Sequence, residues 1–103
     1  MIQLHVTSGD ASIILPLISV PVAISRPHWV EEMIPHLDDE HAATLSEWLG
    51  DRWAWDTIAY QYTDGNAVSG EAGDGRTRWK WAITLHGKET TRAELRAHLN
   101  PEA

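Results

Sequence analysis

The strongest constraint on the fold is a period of two in the segment Thr77–His86. Its large apolar members are Trp79, Trp81, Ile83 and Leu85, and they alternate with Arg78, Lys80, Ala82, Thr84 and His86. Successive side chains of a β-strand point to opposite faces of the sheet. The alternation therefore predicts a strand that buries the Trp79 face and exposes the Lys80 face.

Residues 2–7 show the same alternation, which predicts a second half-buried strand. Its apolar members are Ile2, Leu4 and Val6. A turn follows, and then an apolar, β-branched run over residues 13–24 that contains Pro16 and Pro21. Proline cannot donate to a sheet ladder, so this run predicts an edge strand or a broken pair of short strands. We expect residues 2–7 to form a hairpin with residues 12–18.

The segment that follows has apolar residues at helical spacing. These residues are Trp29, Val30, Met33, Ile34 and Leu37. Proline is favoured in the first turn of a helix and breaks a helix interior. The pattern therefore predicts a short helix that begins near Pro27 and ends near Ile34, before Pro35.

Capping residues predict two further helices. Asp38 or Asp39 is suited to cap a helix that runs to about Leu49, and Gly50 can take the left-handed conformation that ends it. The buried face of this helix is predicted to hold Ala42, Leu45, Trp48 and Leu49. The segment Thr91–Glu94 is a capping box that opens the last helix, which Asn100–Pro101 closes.

The segment Trp53–Tyr62 fits either a strand or a helix. Its aromatic and β-branched content favours a strand, and the glycine-rich residues 64–75 after it predict a long, mobile loop. The predicted order is β-β-α-α-β-β-α. This order indicates an α+β fold, with an antiparallel sheet of about four strands and helices packed on one face. We expect residues 1–103 to form a single compact domain.

Composition excludes several kinds of site and location. The 103 residues contain no cysteine, which removes disulfides, thiol nucleophiles and thiolate metal ligands. No basic residue precedes the apolar run at residues 12–25, and prolines interrupt it, so neither a signal peptide nor a membrane-spanning helix is predicted. We therefore expect a soluble, cytoplasmic protein with no membrane partner.

The formal net charge of −7 comes from one half of the chain. Residues 1–51 hold eight acidic residues and one basic residue, Arg26, whereas residues 52–103 are neutral overall. An acidic chain is poorly suited to bind phosphate backbones directly, so no direct nucleic-acid partner is expected. The acidic stretch fits either a solvated helix face or a docking surface for a basic partner.

The six tryptophans divide into two groups. Trp29, Trp48, Trp79 and Trp81 lie on faces that the patterns predict to be buried. Trp53 and Trp55 would share one face of a strand over residues 53–62, and whether that face is core or interface stays open. Exposed tryptophans are frequent anchors of protein interfaces. The candidate partner-binding residues are therefore Glu31, Glu32, Asp38, Asp39, Glu40, Glu47, Asp51, Trp53 and Trp55.

No catalytic or cofactor motif occurs in the chain. His36 and His41 flank three carboxylates, but their spacing differs from the helical zinc pattern. Residues 64–75 lack the ligand positions of a calcium loop, and no phosphate-binding loop or nucleophile motif is present. We therefore predict no catalytic residues, metal ligands or cofactors.

Three function classes fit this sequence. The first is a non-enzymatic interaction protein that inhibits or modulates a basic, nucleic-acid-binding protein. Small, acidic, cysteine-free chains are typical of inhibitors from phages and mobile elements, including anti-CRISPR proteins, and of toxin-immunity proteins. The first alternative is a homo-oligomeric phage structural or accessory module that is joined through the edge strand at residues 13–24. The second is a small metal- or ligand-binding enzyme that uses the His36–His41 segment. A homodimer is also compatible with the sequence.

Overall fold

The two alternating segments form the centre of an antiparallel sheet in the computed structural model, which describes residues 1–22, 32–73 and 77–99. The strands are β1 (Ile2–Ser8), β2 (Ala11–Pro16), β3 (Ile18–Val22), β4 (Glu32–His36), β5 (Ser69–Gly73), β6 (Arg78–Leu85) and β7 (Lys88–Glu89). The helices are α1 (Asp39–Leu49), α2 (Ala54–Thr63) and α3 (Arg92–Leu99). The predicted α+β class is confirmed.

The main sheet has the strand order β2-β1-β6-β5, and the short β7 also pairs with β6. In the β1–β6 pair, Leu4 lies opposite Ile83 and Val6 opposite Trp81. The apolar faces predicted for the two segments therefore coincide. The other face of β6 exposes Lys80, as the alternation requires.

The predicted hairpin between the first two strands is also confirmed. A two-residue turn joins β1 to β2, and Gly9 adopts φ +62° there, a conformation that glycine takes at little cost. The apolar run at residues 13–24 is divided at Leu17. Beyond that point β3 leaves the main sheet and pairs with β4 in a separate two-stranded sheet, in which Val20 lies opposite Ile34.

The helix predicted between Pro27 and Ile34 is wrong over its described part. Residues 23–31, which include Trp29, lie outside the described residues, and residues 32–36 form strand β4. Pro35 lies opposite Ser19 in a two-stranded sheet whose strands are both edges. Proline is tolerated in an edge strand, so Pro35 is compatible with the pairing between β3 and β4 that makes these residues a strand.

Helix α1 begins and ends as predicted. Asp38 is its N-cap, and its carboxylate accepts a hydrogen bond from the His41 N–H. Gly50 ends the helix in the left-handed region at φ +67°. At α3, the Thr91 hydroxyl accepts a hydrogen bond from the Glu94 N–H at 3.1 Å, which confirms that cap. Asn100 and Pro101 lie outside the described residues.

The strand predicted over residues 53–62 is wrong, because this segment forms helix α2. Ala54, Ile58 and Tyr62 are the buried residues of this helix. Their spacing of four places them on one helical face, directed into the core. Burial of this face against the rest of the protein outweighs the strand preference of individual aromatic residues.

The loop predicted over residues 64–75 is wrong in part, because Ser69–Gly73 forms strand β5 along β6. Gly70 lies opposite Trp81, and a Cβ atom placed on it would lie 2.9 Å from the indole nitrogen of Trp81. The same Cβ would lie 2.5 Å from Oε1 of Gln61. Glycine is thus needed there for close packing. Residues 74–76 lie outside the described residues.

The buried apolar side chains form one cluster between the sheet and the helices. Its largest fully buried members include Trp79, Trp81, Leu4, Leu45, Ile58 and Leu95, so the sheet and all three helices contribute. The helices therefore cover the tryptophan face of the sheet. Among the described helices, none combines the length and the apolar character needed to cross a membrane.

Candidate interaction surface

The exposed face of α1 is acidic. Asp39, Glu40 and Glu47 are exposed on this helix. At 3.6 residues per turn they lie within an arc of about 100°. The structure therefore brings three predicted candidates together on one helix face.

The carboxylate of Asp38 caps the start of helix α1. One carboxylate oxygen, Oδ1, accepts a hydrogen bond from the backbone N–H of His41 at 2.9 Å. The same oxygen lies 2.7 Å from the ring Nδ1 of His41. The His41 N–H, followed by the ring contact, lowers the pKa of the Asp38 carboxyl below its ordinary value of 3.8. Asp38 is consequently ionised at neutral pH, and its first task is to start α1.

The turn between α1 and α2 is built on Gly50 and Asp51. The left-handed Gly50 lets the Asp51 N–H donate to the Ser46 carbonyl oxygen at 3.0 Å. The Asp51 carboxylate then accepts a hydrogen bond from the Trp53 N–H at 2.8 Å. This contact directs the chain into α2 immediately after α1 ends.

Trp53 stands at the N-cap of α2 and is 63% exposed. The guanidinium of Arg52 lies 5.7 Å from its ring centroid, within cation–π range. Beside this pair lies a cleft of about 750 Å³ between the α1–α2 turn and strands β5 and β6. The lining of this cleft includes Leu49, Thr57 and Trp79. The α1–α2 turn therefore presents the large side chain of Trp53 next to an open cleft.

Trp55 does not share a face with Trp53, contrary to the prediction. Two residues apart on a helix, the side chains point about 200° apart. Trp55 is half-buried and packs edge-to-face against His36 with ring centroids 6.0 Å apart. The structure thus places Trp53 at the surface and Trp55 against strand β4.

The two remaining predicted candidates are not on α1. Glu32 is the first residue of β4 in the two-stranded sheet, and Glu31 lies outside the described residues. The predicted helix over residues 27–34 includes both glutamates. Residues 32–36 form a strand instead, so Glu32 belongs to β4 and not to a helix.

Sequence reasoning missed two exposed residues of α2. Asp56 and Tyr60 follow Trp53 by three and seven residues, and Tyr60 is 66% exposed. On a helix this spacing places the three side chains on one side. In a strand, Tyr60 would share a face with Ile58 and Tyr62. The spacing of four between Ala54 and Ile58 was the signal that could have identified the helix.

The described side chains of the His36–His41 segment do not form a metal site. His36 packs on Trp55, and Nδ1 of His41 faces Asp38. Across residues 1–22, 32–73 and 77–99, no group of three or more His, Asp or Glu side chains is placed to hold a metal ion. The neighbourhood of His41 is therefore explained by helix capping.

Comparison with known proteins returns no relative. No protein-family model, no curated protein and no solved structure matches this chain. We call the exposed residues Asp39, Glu40, Glu47, Trp53, Asp56 and Tyr60, together with Asp51 in the turn, the acidic helical surface.

Proposed function

We propose that this chain is a small non-enzymatic interaction protein whose acidic helical surface binds a basic, nucleic-acid-handling protein in the cytoplasm and inhibits or modulates it. The supporting observation is an uneven charge distribution. Residues 38–64 carry seven acidic residues and a single base, Arg52. Residues 78–99 carry five bases and two acids.

Helix electrostatics favour this reading over an ordinary solvated face. Acidic residues near a helix N-terminus stabilise the helix, whereas near the C-terminus they oppose its dipole. Asp38, Asp39 and Glu40 belong to the favourable group. Glu47 lies in the last turn of α1, which contains no basic residue, and Asp64 is the C-cap of α2. Folding alone does not favour acids at these places, so a binding role supplies a reason for them.

The aromatic residues provide anchors for a protein partner. Exposed single charge pairs contribute little affinity, and tryptophan and tyrosine carry a large share of the binding energy in many interfaces. Trp53 and Tyr60 offer such side chains beside the carboxylates of Asp51 and Asp56. A protein that grips nucleic acid presents lysines and arginines, which these carboxylates complement. Binding there would block the partner's phosphate-binding groove.

The proposal is tested by capture from a nuclease-treated lysate of the native cells, followed by mass spectrometry and affinity measurement. The first variant combines Glu40→Lys with Glu47→Lys on the acidic helical surface. The matched control combines Asp10→Lys with Glu89→Lys, two exposed acids outside helices α1 and α2. Both double variants change the net charge by the same amount.

The expected partner binds the wild type and the control and loses at least about tenfold in affinity for the Glu40→Lys/Glu47→Lys variant. Its binding also weakens with added salt, and duplex DNA or RNA competes for it. Equal binding to both double variants would refute the assignment of the surface. Capture of no basic protein by the wild type would refute the function.

A further inference from the structure

Strand β2 leaves one edge of the main sheet open. It stands at the end of the strand order, and no strand within residues 1–22, 32–73 and 77–99 pairs with its outer side. The Leu17 N–H donates to the Ile2 carbonyl oxygen at 3.0 Å. Because hydrogen bonding alternates along an antiparallel strand, the odd-numbered residues of β2 bond to β1. The N–H and C=O groups of Ser12 and Ile14 therefore point outward.

The opposite edge of the main sheet is strand β5, and it contacts a helix. Helix α2 lies along β5, where the side-chain amide of Gln61 donates to the Glu71 carbonyl oxygen at 3.1 Å. The main-chain carbonyl oxygen of Gln61 accepts a hydrogen bond from the Ala67 N–H at 3.2 Å, in the connection between α2 and β5. The β5 edge is thus contacted by helix α2 at Glu71, whereas no described strand pairs with the outer side of β2.

The β2 edge also lacks the charges that usually keep sheet edges apart. No charged residue occurs between Asp10 and Arg26, although the chain as a whole carries a net charge of −7. Natural proteins commonly place lysine, proline or a bulge on an exposed edge. Pro16 is the single such device on β2, and Ile14 in the middle of the strand is 55% exposed.

We propose that a second copy of this chain pairs with β2, antiparallel and about a two-fold axis at Ile14, to join the two main sheets. The Ile14 N–H would donate to the carbonyl oxygen of Ile14 of the partner subunit, and the reverse bond follows by symmetry. The Ser12 N–H would reach the carbonyl oxygen of Pro16 of the partner subunit. Because Pro16 has no N–H, the pairing ends there.

The absence of charged side chains along β2 favours a second copy of the chain as the occupant. In such a dimer, the uncharged strand β2 lies beside an identical uncharged strand, so no ionised side chains face each other between the two copies. The remaining repulsion between two copies of net charge −7 is long-range and is screened by salt. This dimer should therefore strengthen as salt is added, whereas the complex at the acidic helical surface should weaken.

Sedimentation equilibrium of the purified chain up to about 1 mM tests the dimer. The edge variant is Ile14→Lys, which would place two ammonium groups opposite each other across the axis. Its matched control is Ile18→Lys, an isoleucine on β3 that is similarly exposed at 50%. We expect Ile14→Lys to weaken dimerisation about tenfold or more and the control to leave it nearly unchanged.

Amide hydrogen exchange on the wild type gives a second measurement that does not depend on a variant folding. The amides of Ser12 and Ile14 should exchange quickly in dilute solution and slow down as the protein concentration rises. The amide of Leu17, already bonded to Ile2, should be protected at every concentration. A monomer at the highest concentration, a dimer insensitive to Ile14→Lys, or an Ile14 amide with no concentration dependence would each overturn the proposal. None of these results bears on the basic partner, whose test uses different variants and the opposite salt dependence.

Discussion

Reversing the charge of Glu47 should stabilise the fold while it weakens the proposed binding. Glu47 is exposed in the last turn of α1, where the helix dipole places partial negative charge on the free carbonyl groups. Removing the carboxylate relieves a repulsion, and an ammonium in its place gains an attraction. Each contribution is about 0.3–1 kcal/mol for a surface helix end, so Glu47→Lys should raise the free energy of unfolding by about 1 kcal/mol.

The same substitution at Glu40 is the control with the opposite sign. Glu40 lies in the first turn of α1, is exposed like Glu47, and differs from it mainly in the end of the dipole that it faces. Glu40→Lys changes the net charge equally, so any general relief of self-repulsion is common to both variants. We expect it to lower the free energy of unfolding by about 1 kcal/mol.

Thermal unfolding followed by tryptophan fluorescence resolves effects of this size. For 103 residues the entropy of unfolding is about 0.2 kcal/mol/K, so 1 kcal/mol corresponds to a shift in Tm of about 5 °C. The two variants should thus differ by about 10 °C at low salt, and the difference should shrink near 1 M salt, where the Debye length is about 3 Å. Equal shifts of the same sign would refute the dipole argument, and with it the main reason for assigning Glu47 a binding role.

Three further predictions concern stability. Gly70→Ala should lower the free energy of unfolding by about 1–3 kcal/mol in urea denaturation, because its Cβ would meet the Gln61 amide and the Trp81 ring. Asp38→Ala should lower Tm at pH 7 because the helix cap is lost, whereas Asp38→Asn should retain most of it. Trp81→Ala should lower the free energy of unfolding by about 3–5 kcal/mol, and Trp53→Ala by less than about 0.5 kcal/mol, in the same assay.

The pH dependence of Asp38 has a definite sign. Its folded-state pKa lies below the ordinary value of 3.8, so its contribution to stability is present above pH 3.8 and is lost as the pH falls through the lowered pKa. The stability difference between wild type and Asp38→Asn should therefore narrow on acidification below that range. A difference that stays constant to pH 2 would contradict the lowered pKa. A Gly70→Ala protein with unchanged stability would contradict the close packing above Trp81.

Elements whose signals are local could be predicted from the sequence. Helix α1 lies between Asp38 and Gly50 because a cap hydrogen bond and a left-handed residue act within one turn. Strands β1 and β6 follow from strict alternation, which leaves one consistent buried face. The acids on α1 could be predicted as a surface for the same reason, since the period of a capped helix determines which side chains share a face.

Elements whose signals are ambiguous could not be predicted in this way. Residues 53–62 have aromatic content that suits a strand and a spacing of Ala54, Ile58 and Tyr62 that suits a helix, and packing against the core selects the helix. Tyr60 was consequently missed as a surface residue, and Trp53 and Trp55 were wrongly placed together. Strand β5 was not predicted because glycine is typical of loops, and the reason for Gly70 in a strand is its close packing against Trp81.

The sequence by itself determined the class of the fold, its two central strands, the capped helix α1 and the location of the net charge. Each of these depends on residues that are near one another in the chain. Only the tertiary structure decided that Trp53 is exposed beside a cleft, that Glu32 lies in a strand and that no described strand pairs with the outer side of β2. These features depend on which distant segment covers each face or edge, and short apolar segments are compatible with more than one such arrangement until the whole core is assembled.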